Sequence, residues 1–389
     1  MVLSKRERVF RTLELDGEPD MIPIHNMGFE HTSTAFQEYL KSGQKDKYSS
    51  IVKNTNSRTK YLITEQRFWN LDAFELDPFG SPGAKLKIHQ INAPDEYPDC
   101  RLNPISGKIY KIVKQIETGL DYSWYIDGYF KNPELLYSYW DQHGRPSELI
   151  NDHINYSPQI WEGFVEALSP YFYPMASLPV PMHEWLFEGM TLSRVAYFMR
   201  KKPAFIYDVM NEYTKTNLEI IKRYGEAGVD IAFYYDDLGY KEHSIFSIEQ
   251  FKEFILPYYK QIYQSCKKNG MFIVHHSCGY IDKLLPHMAD AGLNCIQSLE
   301  PAAGVDLELL KRNLGDRITF MDGIDSSDIL NFGKPKDVEE EVKRCIKAAA
   351  TGGGYFIGPS HNILNAPWEN VLALRAAIEK YRKYPLKIS

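Results

Sequence analysis

The chain has 389 residues, which allows one large domain or two of ordinary size. Hydrophobic residues make up 44% and charged residues 25%, a globular composition with enough apolar material for a large core. The formal net charge of −6 argues against a nucleic-acid-binding protein, because such proteins usually carry a basic surface.

The sequence also argues against a membrane or a secreted protein. It contains no run of about eighteen uncharged apolar residues, so no membrane span is expected. Its first ten residues soon become charged and lack the apolar stretch of a secretory signal. The five cysteines are scattered and do not suggest a disulfide framework, so we expect a protein of the reducing cytoplasm.

The first part of the chain predicts a helix, a strand and then an irregular region. The residues at 4–7 have capping-box spacing, which predicts a helix start, and a strand is predicted at 21–27. From about 76 to 170 the pattern loosens into short alternating runs around 85–91 and 108–115. We interpret these runs as antiparallel hairpins inserted into the main fold.

From Tyr171 onward, strands and helices alternate regularly. The predicted strands are 172–178, 231–235, 272–277, 294–299, 318–321 and 355–358. Helix starts between or after them are marked by Pro203, by a second capping box at Ser247 and Gln250, and by Pro367. Strands alternating with helices of this length form right-handed βαβ units and a parallel sheet.

These elements predict the α/β class and, within it, a (β/α)₈ TIM barrel. Six strands in the second half, with one or two near the N-terminus, make about the eight that a barrel needs. An open doubly wound sheet fits less well, because the Gly-rich runs do not stand at the first strand–helix turn. We expect a single domain over 1–389 with an antiparallel hairpin insertion at about 76–170.

Polar side chains follow several of the predicted strands. They are Asp236, Asp237, His276, Cys278, Glu300, Asp322, Asp325, Ser360 and His361. A polar residue often only marks where a strand stops. In a parallel barrel, however, reactive groups stand at the carboxyl ends of strands, so five such ends with carboxylate, imidazole or thiol groups indicate a site.

The most specific chemistry in this series is a metal site. His276 and Cys278 are two residues apart, so their side chains point to the same side of an extended strand. Imidazole nitrogen and thiolate sulfur are typical zinc donors, and a catalytic zinc has about three protein ligands and an open position. His361, just past the last strand, is the candidate for the third ligand.

Longer motifs carry a family resemblance. The chain contains SKRERVFRTLELDGEPDMIP near its start, DDLG at 236–239, HSCG at 276–279, LEPAAGVDLELLKRNLGDRITFMDGID, and GGGYFIGPSHNI followed by PWENV. With these it resembles the uroporphyrinogen decarboxylase superfamily, specifically its corrinoid-linked methyltransferase branch, over nearly its whole length. The resemblance implies catalytic Zn²⁺, a small-molecule methyl donor and a partner protein that carries a corrinoid (cobalamin). Similar proteins are often dimers, so it is also compatible with a homodimer.

The sequence differs from both the methyltransferase pattern and the decarboxylase pattern at positions that bear on the reaction. It implies a methyltransferase zinc held by His-x-Cys and a distant Cys; His276 and Cys278 match, but His361 stands at the third position. The decarboxylases have His there, lack the His-x-Cys, and carry an Arg-rich N-terminal segment for their acidic substrate. Residues 23–33 contain no Arg here, so decarboxylation of a porphyrinogen is not expected.

The exchange at His361 also changes the expected reaction. One thiolate with two imidazoles leaves zinc more positive than two thiolates do, and hence a stronger Lewis acid. We therefore expect removal of a methyl group from a methoxy compound, with aromatic ones favoured, and transfer to the cob(I)alamin of a corrinoid protein. The alternatives are a metal-free decarboxylase or lyase, a thiol-methylating enzyme of the coenzyme M type, and a barrel that only binds a partner.

Carboxylates near the predicted zinc have several open roles. Asp236 and Asp237 are the candidate catalytic residues: they could bind a ligand histidine, protonate the departing oxygen or complete the zinc shell, or simply cap a turn. Glu300 is the candidate for a fourth, displaceable zinc ligand. For Asp322 and Asp325, helix capping competes with a chemical role.

Three further residues are candidate substrate contacts. His183 and Glu184 follow a strand whose loop faces the substrate in the family that the chain resembles, although a surface pair is an equal alternative. Tyr235 is a candidate contact for an aromatic ring, with a core position as its alternative.

Overall fold

The computed structural model describes residues 2–51, 57–79, 91–103, 105–114, 121–149 and 156–388. Its first helix, α1 (Lys5–Leu13), confirms the predicted capping box. The Ser4 hydroxyl accepts a hydrogen bond from the Glu7 backbone N–H, and the Glu7 carboxylate accepts one from the Ser4 backbone N–H. These bonds satisfy amide groups at the helix start that have no partner within the helix.

The remaining helices of the described part are mostly placed between strands. They are α2 (Thr34–Lys41), α3 (Gln44–Ser49), α4 (Ser57–Trp69), α5 (Pro133–His143), α6 (Pro146–Leu149), α7 (Pro158–Leu168), α8 (Met182–Met190), α9 (Leu192–Lys201), α10 (Pro203–Glu226), α11 (Ile248–Phe254), α12 (Leu256–Lys268), α13 (Leu285–Ala291), α14 (Leu307–Leu314), α15 (Ile329–Phe332), α16 (Pro335–Ala349) and α17 (Trp368–Tyr381). Within the described residues, none of these helices is long and apolar enough to cross a membrane.

The strands form two sheets. They are β1 (Ala73–Leu76), β2 (Ile91–Asn92), β3 (Arg101–Leu102), β4 (Lys108–Lys114), β5 (Asp121–Gly128), β6 (Tyr173–Leu178), β7 (Ile231–Tyr235), β8 (Phe272–Ser277), β9 (Cys295–Ser298), β10 (Thr319–Asp322) and β11 (Tyr355–Phe356). The larger sheet has the order β1-β6-β7-β8-β9-β10-β11, and all its pairs are parallel. The predicted parallel α/β architecture is therefore present as a seven-stranded sheet.

The register of this sheet places the candidate site residues side by side. Tyr235 of β7 is paired with His276 of β8, and His276 is paired with Gln297 of β9. Because successive strands run in the same direction, their carboxyl ends meet at one edge. This edge carries the polar residues that the sequence analysis singled out.

The segment predicted as a strand at 21–27 forms isolated bridges and no strand. Ile357 N–H donates to Pro23 O at 2.9 Å, and Asp72 N–H donates to Ile24 O at 2.8 Å. Because Ile357 directly follows β11 and Asp72 directly precedes β1, the segment is hydrogen-bonded at both edges of the seven-stranded sheet. A longer ladder does not form, since Pro23 has no N–H and the Ile24 N–H donates to the Asp72 carboxylate instead.

The smaller sheet is antiparallel, with the order β2-β3-β4-β5. It lies in the chain between β1 and β6, within the region predicted to contain hairpins. The predicted run at 108–115 is strand β4, whose bounds are Lys108–Lys114. The run at 85–91 lies outside the described residues apart from Ile91, which begins β2.

Alternate residues of the parallel strands pack on opposite faces of the sheet. On one face, the side chains of Met175, Phe233, Val274 and their counterparts on the other strands form a cluster with Val9 of α1. Their chain neighbours on the other face pack against the helices. Helix α1 therefore covers the amino-terminal end of the sheet interior and leaves the carboxyl end for the site.

Candidate metal centre

Three side chains with metal-binding atoms meet at the carboxyl edge of the parallel sheet. They are His276 and Cys278, at the end of β8, and His361, in the loop after β11. One ligand atom from each lies within 4.8 Å of the other two. The His276 Nε2 and Cys278 Sγ atoms are 3.2 Å apart, and the two imidazole rings are 6.2 Å apart between centroids. The structure thus brings together the three residues predicted as ligands.

The thiol of Cys278 lies in a negative environment. Burial, and then the charges of Asp237 and Glu300, raise the pKa of this thiol well above its ordinary value. The thiol therefore becomes a thiolate only if a cation close to the sulfur displaces its proton. A donor set of two imidazole nitrogens and one sulfur, open to the outside, fits Zn²⁺.

The ring of His361 is prepared to act as a neutral ligand. Burial, and then the neighbouring His276, lower its pKa. Its Nδ1 accepts a hydrogen bond from the Asn362 backbone N–H at 2.8 Å. A neutral imidazole has one lone pair, so a cation bound at either ring nitrogen of His361 would replace this hydrogen bond.

Two predicted carboxylates lie beside the cluster. Asp237 Oδ1 accepts a hydrogen bond from the Cys278 backbone N–H at 2.6 Å and lies 3.5 Å from His276 Nε2. Glu300 is near enough to the same thiol to raise its pKa, and its Oε1 accepts a bond from the Ser298 hydroxyl at 3.4 Å. Both carboxylates are thus positioned to contribute an oxygen at the edge of the cluster.

Glu184, in the first turn of α8, is joined to this edge through Asp237. Its Oε1 accepts a hydrogen bond from the Asp237 backbone N–H at 3.1 Å. Burial, and then the charges of Asp236 and Asp237, raise the pKa of Glu184 to about 7. This side chain therefore holds a proton in a substantial fraction of molecules near neutral pH.

Asp236 faces the helices on the other side of the sheet. Its carboxylate accepts hydrogen bonds from the backbone N–H groups of Met182, His183 and Glu184, which begin α8, at 3.2–3.3 Å. It also accepts one from the Tyr259 hydroxyl at 2.7 Å. Its oxygens are occupied by buried donors, as the capping alternative expects, and the catalytic role of Asp236 stays a prediction.

His183 shares this position behind the sheet. The side chain is fully buried, with Nδ1 2.5 Å from Asp236 Oδ1. Burial alone would lower its pKa, but the Asp236 carboxylate outweighs burial and raises it. His183 is therefore not a surface residue, so the surface-pair alternative is wrong for it, and it lies outside the cluster at the strand ends; its role as a substrate contact stays a prediction.

A row of buried polar side chains continues from His276 across the sheet interior. His276 Nδ1 is hydrogen-bonded to Gln297 Oε1, and Gln297 Nε2 donates to Asp322 Oδ2 at 2.5 Å. Asp322 Oδ2 lies 2.9 Å from Nδ1 of His25. The Asp325 carboxylate, by contrast, accepts from the backbone N–H groups of the following turn, so capping applies to that residue.

The row ends at Tyr235. His25 Nε2 lies 2.8 Å from Glu75 Oε2, and the Tyr235 hydroxyl donates to Glu75 Oε1 at 2.8 Å. The ring of Tyr235 is 5.2 Å from the His276 ring between centroids. Tyr235 therefore borders the cluster with one part of its ring and binds the buried row with its hydroxyl.

His25, Glu75 and Gln297 were not among the residues predicted from the sequence. Gln297 has a signal that could have been read, because it is two residues from Cys295 on a buried strand and therefore faces the sheet interior. His25 and Glu75 carry no comparable local signal. Their roles depend on contacts between residues that are far apart in the chain. His25 and Glu75 are 50 residues apart, and His25 and Asp322 are 297 residues apart.

The second half of the chain matches a known protein family. The profile of the uroporphyrinogen decarboxylase (URO-D) family matches residues 182–381, slightly more than half of the chain. The chain belongs to the uroporphyrinogen decarboxylase family. The matched region contains His276, Cys278 and His361.

Two individual relatives are methyltransferases. A methylated-thiol–coenzyme M methyltransferase of Methanosarcina mazei is 26% identical over 192 residues, which are 46% of this chain and 48% of that protein. The chain thus matches about half the length of this relative. A solved methyltransferase structure from Methanosarcina mazei has the same fold, with a TM-score of 0.64, 16% identity, and coverage of 97% of this chain and 99% of that one. The family match and the methyltransferase relative agree with the family resemblance that the sequence motifs indicated.

Proposed function

We propose that the protein is a zinc-dependent methyltransferase that demethylates a methoxy compound, with methoxylated aromatics as the favoured class. The observation that carries this proposal is the cluster of one thiol and two imidazoles, with ligand atoms within 4.8 Å of one another. The acceptor is the cob(I)alamin of a separate corrinoid protein. The methyltransferase relatives support methyl transfer as the reaction class.

In this reaction the methyl–oxygen bond breaks and a methyl–cobalt bond forms. The electron pair of the broken bond stays on oxygen, which takes up a proton and leaves as an alcohol or phenol. A bound Zn²⁺ would supply Lewis-acid polarisation of the ether oxygen. His276, Cys278 and His361 would hold the ion, and Glu300 would be a fourth ligand that the substrate displaces.

Residues of the edge would supply the remaining functions. Asp237 holds the Cys278 backbone in place through its 2.6 Å hydrogen bond. Glu184, whose pKa is about 7, is the source of the proton for the departing oxygen. The ring of Tyr235, beside His276, is the contact for an aromatic substrate.

A second candidate function is methyl transfer involving a thiol. The relative that matches about half of the chain favours this function, because that protein is a methylated-thiol–coenzyme M methyltransferase. His361 distinguishes the two candidates, because a second thiolate at this position would make the zinc a weaker Lewis acid and better suited to thiol chemistry.

We also infer the complete architecture from the bridging segment at 22–25. Its backbone bonds to Ile357 and Asp72 support a closed (β/α)₈ barrel in which this segment takes the eighth position. Residues 1–389 would then form a single domain, with the antiparallel sheet in an insertion at about 76–170.

The proposal is tested by assaying methyl transfer to cob(I)alamin with the purified protein. Methoxybenzoates and a methylated thiol are supplied as alternative donors, and coenzyme M is supplied as an alternative acceptor. Transfer from a methoxybenzoate supports the first candidate. Activity only with the thiol compounds reverses the assignment to the second, and no transfer from either donor contradicts both.

A further inference from the structure

We propose that Gln297, Asp322, His25 and Glu75 form a buried positioning network that holds His276 in one tautomer, with its Nε2 lone pair directed at the metal site. The inference rests on the proposed role of His276 as a metal ligand. Gln297 contacts the Nδ1 atom of His276, and Asp322, His25 and Glu75 follow behind Gln297, so the four side chains act through His276 as positioning residues.

The direction of each hydrogen bond follows from Asp322. A carboxylate only accepts hydrogen bonds, so the amide nitrogen of Gln297 must face Asp322, at 2.5 Å, and its oxygen must face His276. The His276 Nδ1 atom therefore carries the proton. Its Nε2 atom keeps the lone pair and lies 3.2 Å from Cys278 Sγ. A histidine that donates its other N–H in this way is oriented for metal binding.

Asp322 is itself held by a charged neighbour. Burial alone would lower the pKa of His25, but the carboxylates of Asp322 and Glu75 outweigh burial and raise it to about 10. His25 is therefore an imidazolium at neutral pH that donates to both carboxylates. All three side chains are buried, with His25 and Asp322 fully inaccessible, so water does not compete for these bonds.

The backbone around the network is shaped for it. Asp322 has a φ of 74°, a left-handed conformation that is uncommon for a residue other than glycine. A Cβ atom at Gly358 would lie 1.8 Å from the His25 carbonyl oxygen and 2.5 Å from Asp322 Oδ1. The chain therefore has glycine where His25 and Asp322 approach the last strand, and it keeps a strained backbone at the residue that fixes the direction of the network.

Two variants separate this role from ordinary core packing. Gln297→Leu removes both hydrogen bonds that link His276 to Asp322. Thr319→Val is the matched control: Thr319 is also fully buried in the parallel sheet, and it loses one hydrogen bond, to Thr12 O on α1, at the opposite end of the sheet interior. Thermal melts and circular dichroism of both variants report any common loss of stability.

The first measurement is made on metal-free protein labelled with ¹⁵N in its histidine rings. NMR is expected to show His276 as the Nδ1–H tautomer in the wild type and in Thr319→Val, and a mixture of tautomers in Gln297→Leu. An Nε2–H tautomer in the wild type would overturn the inference, whether or not the protein binds zinc.

The second measurement is the affinity for Zn²⁺ and Co²⁺ by competition with a chelator. Gln297→Leu is expected to bind about 10–100-fold more weakly and to change the visible spectrum of bound Co²⁺, with Thr319→Val unchanged. Equal affinities and spectra for Gln297→Leu and the wild type would overturn the inference. A wild type with the expected tautomer that binds neither metal would instead contradict the proposed function.

Discussion

The Nε2 atom of His276 and the Sγ atom of Cys278 are 3.2 Å apart. Two ligands of one tetrahedral zinc, with bonds of about 2.0–2.1 Å to nitrogen and 2.3 Å to sulfur, would be roughly 3.5 Å apart. The small separation follows from extended backbone, because His276 lies in β8, Cys278 directly follows the strand, and residues two apart in such backbone point to the same side. A cation at this edge therefore needs little movement of either side chain.

The identity of the third ligand is predicted to select the methyl donor. His361→Cys adds a second thiolate, which lowers the positive charge on the zinc. We expect the variant to retain zinc and to demethylate methoxy compounds more slowly by a factor of about ten or more, which is a barrier increase of ~1.4 kcal/mol or more. His243→Cys, which makes the same exchange at an exposed position, is the control. Unchanged demethylation by His361→Cys at full zinc content would disprove this link.

Glu184 is predicted to set a pH limit on demethylation. A proton donor works only in its protonated form, so kcat/KM of the wild type should fall as the pH rises through about 7, the pKa of this side chain. Glu184→Gln should be about 100-fold less active and should lack this alkaline decline. Glu166→Gln, at an exposed position on α7, provides the control. An identical pH profile in Glu184→Gln would exclude Glu184 as the donor.

His25 is predicted to make stability depend on pH. Its pKa is raised from 6.5 to about 10 in the folded state, so its contribution is fully present below pH 6.5 and disappears as the pH rises through 10. His25→Gln should lower the free energy of unfolding by about 3–5 kcal/mol at low pH, because it leaves buried carboxylates without their partner. Denaturant titrations from pH 6 to 10 should show the difference between wild type and variant shrinking, whereas a constant difference would contradict the charged state of His25.

Asp72 is predicted to stabilise the fold without affecting the metal site. Its buried carboxylate accepts hydrogen bonds from Arg8 at 2.5 Å, from Arg382 at 2.6 Å and from the Ile24 backbone N–H at 2.8 Å. Asp72→Ala should cost about 3–5 kcal/mol of unfolding free energy, because it removes the fully buried carboxylate that Arg8 and Arg382 share. Asp16→Ala, which removes an exposed ion pair with Arg11, should cost about 0–1 kcal/mol. Equal losses for the two variants would refute this assignment.

Much of the parallel sheet can be predicted from the sequence. Strands β7 and β8 have the predicted bounds, because each is a short apolar run that ends at polar residues. Strand β1 was not placed, because it has only four residues and includes the charged Glu75. The capping box predicted at Ser247 and Gln250 begins α11, and a second helix, α12, follows because the backbone leaves helical geometry at Ile255, before Pro257.

The site could be predicted only where its residues are close in sequence or follow strand ends. His276 lies in β8, Cys278 directly follows that strand, and His361 follows the last strand, so all three could be named. The alternation of side chains along a strand does not reveal that the Asp236 carboxylate caps α8, because this depends on where that helix begins in space. Nor could it reveal His25, whose two ring nitrogens bond residues from distant strands.

The most direct test of the account is X-ray absorption at the zinc edge on the purified protein and two cysteine variants. We predict one zinc per chain with one sulfur at about 2.3 Å and two imidazole nitrogens at about 2.0–2.1 Å. Cys278→Ala should lose the sulfur and most of the zinc, and Cys100→Ala should match the wild type. Zinc at full occupancy in Cys278→Ala, or wild-type protein that binds zinc without sulfur, would contradict a centre built on His276, Cys278 and His361.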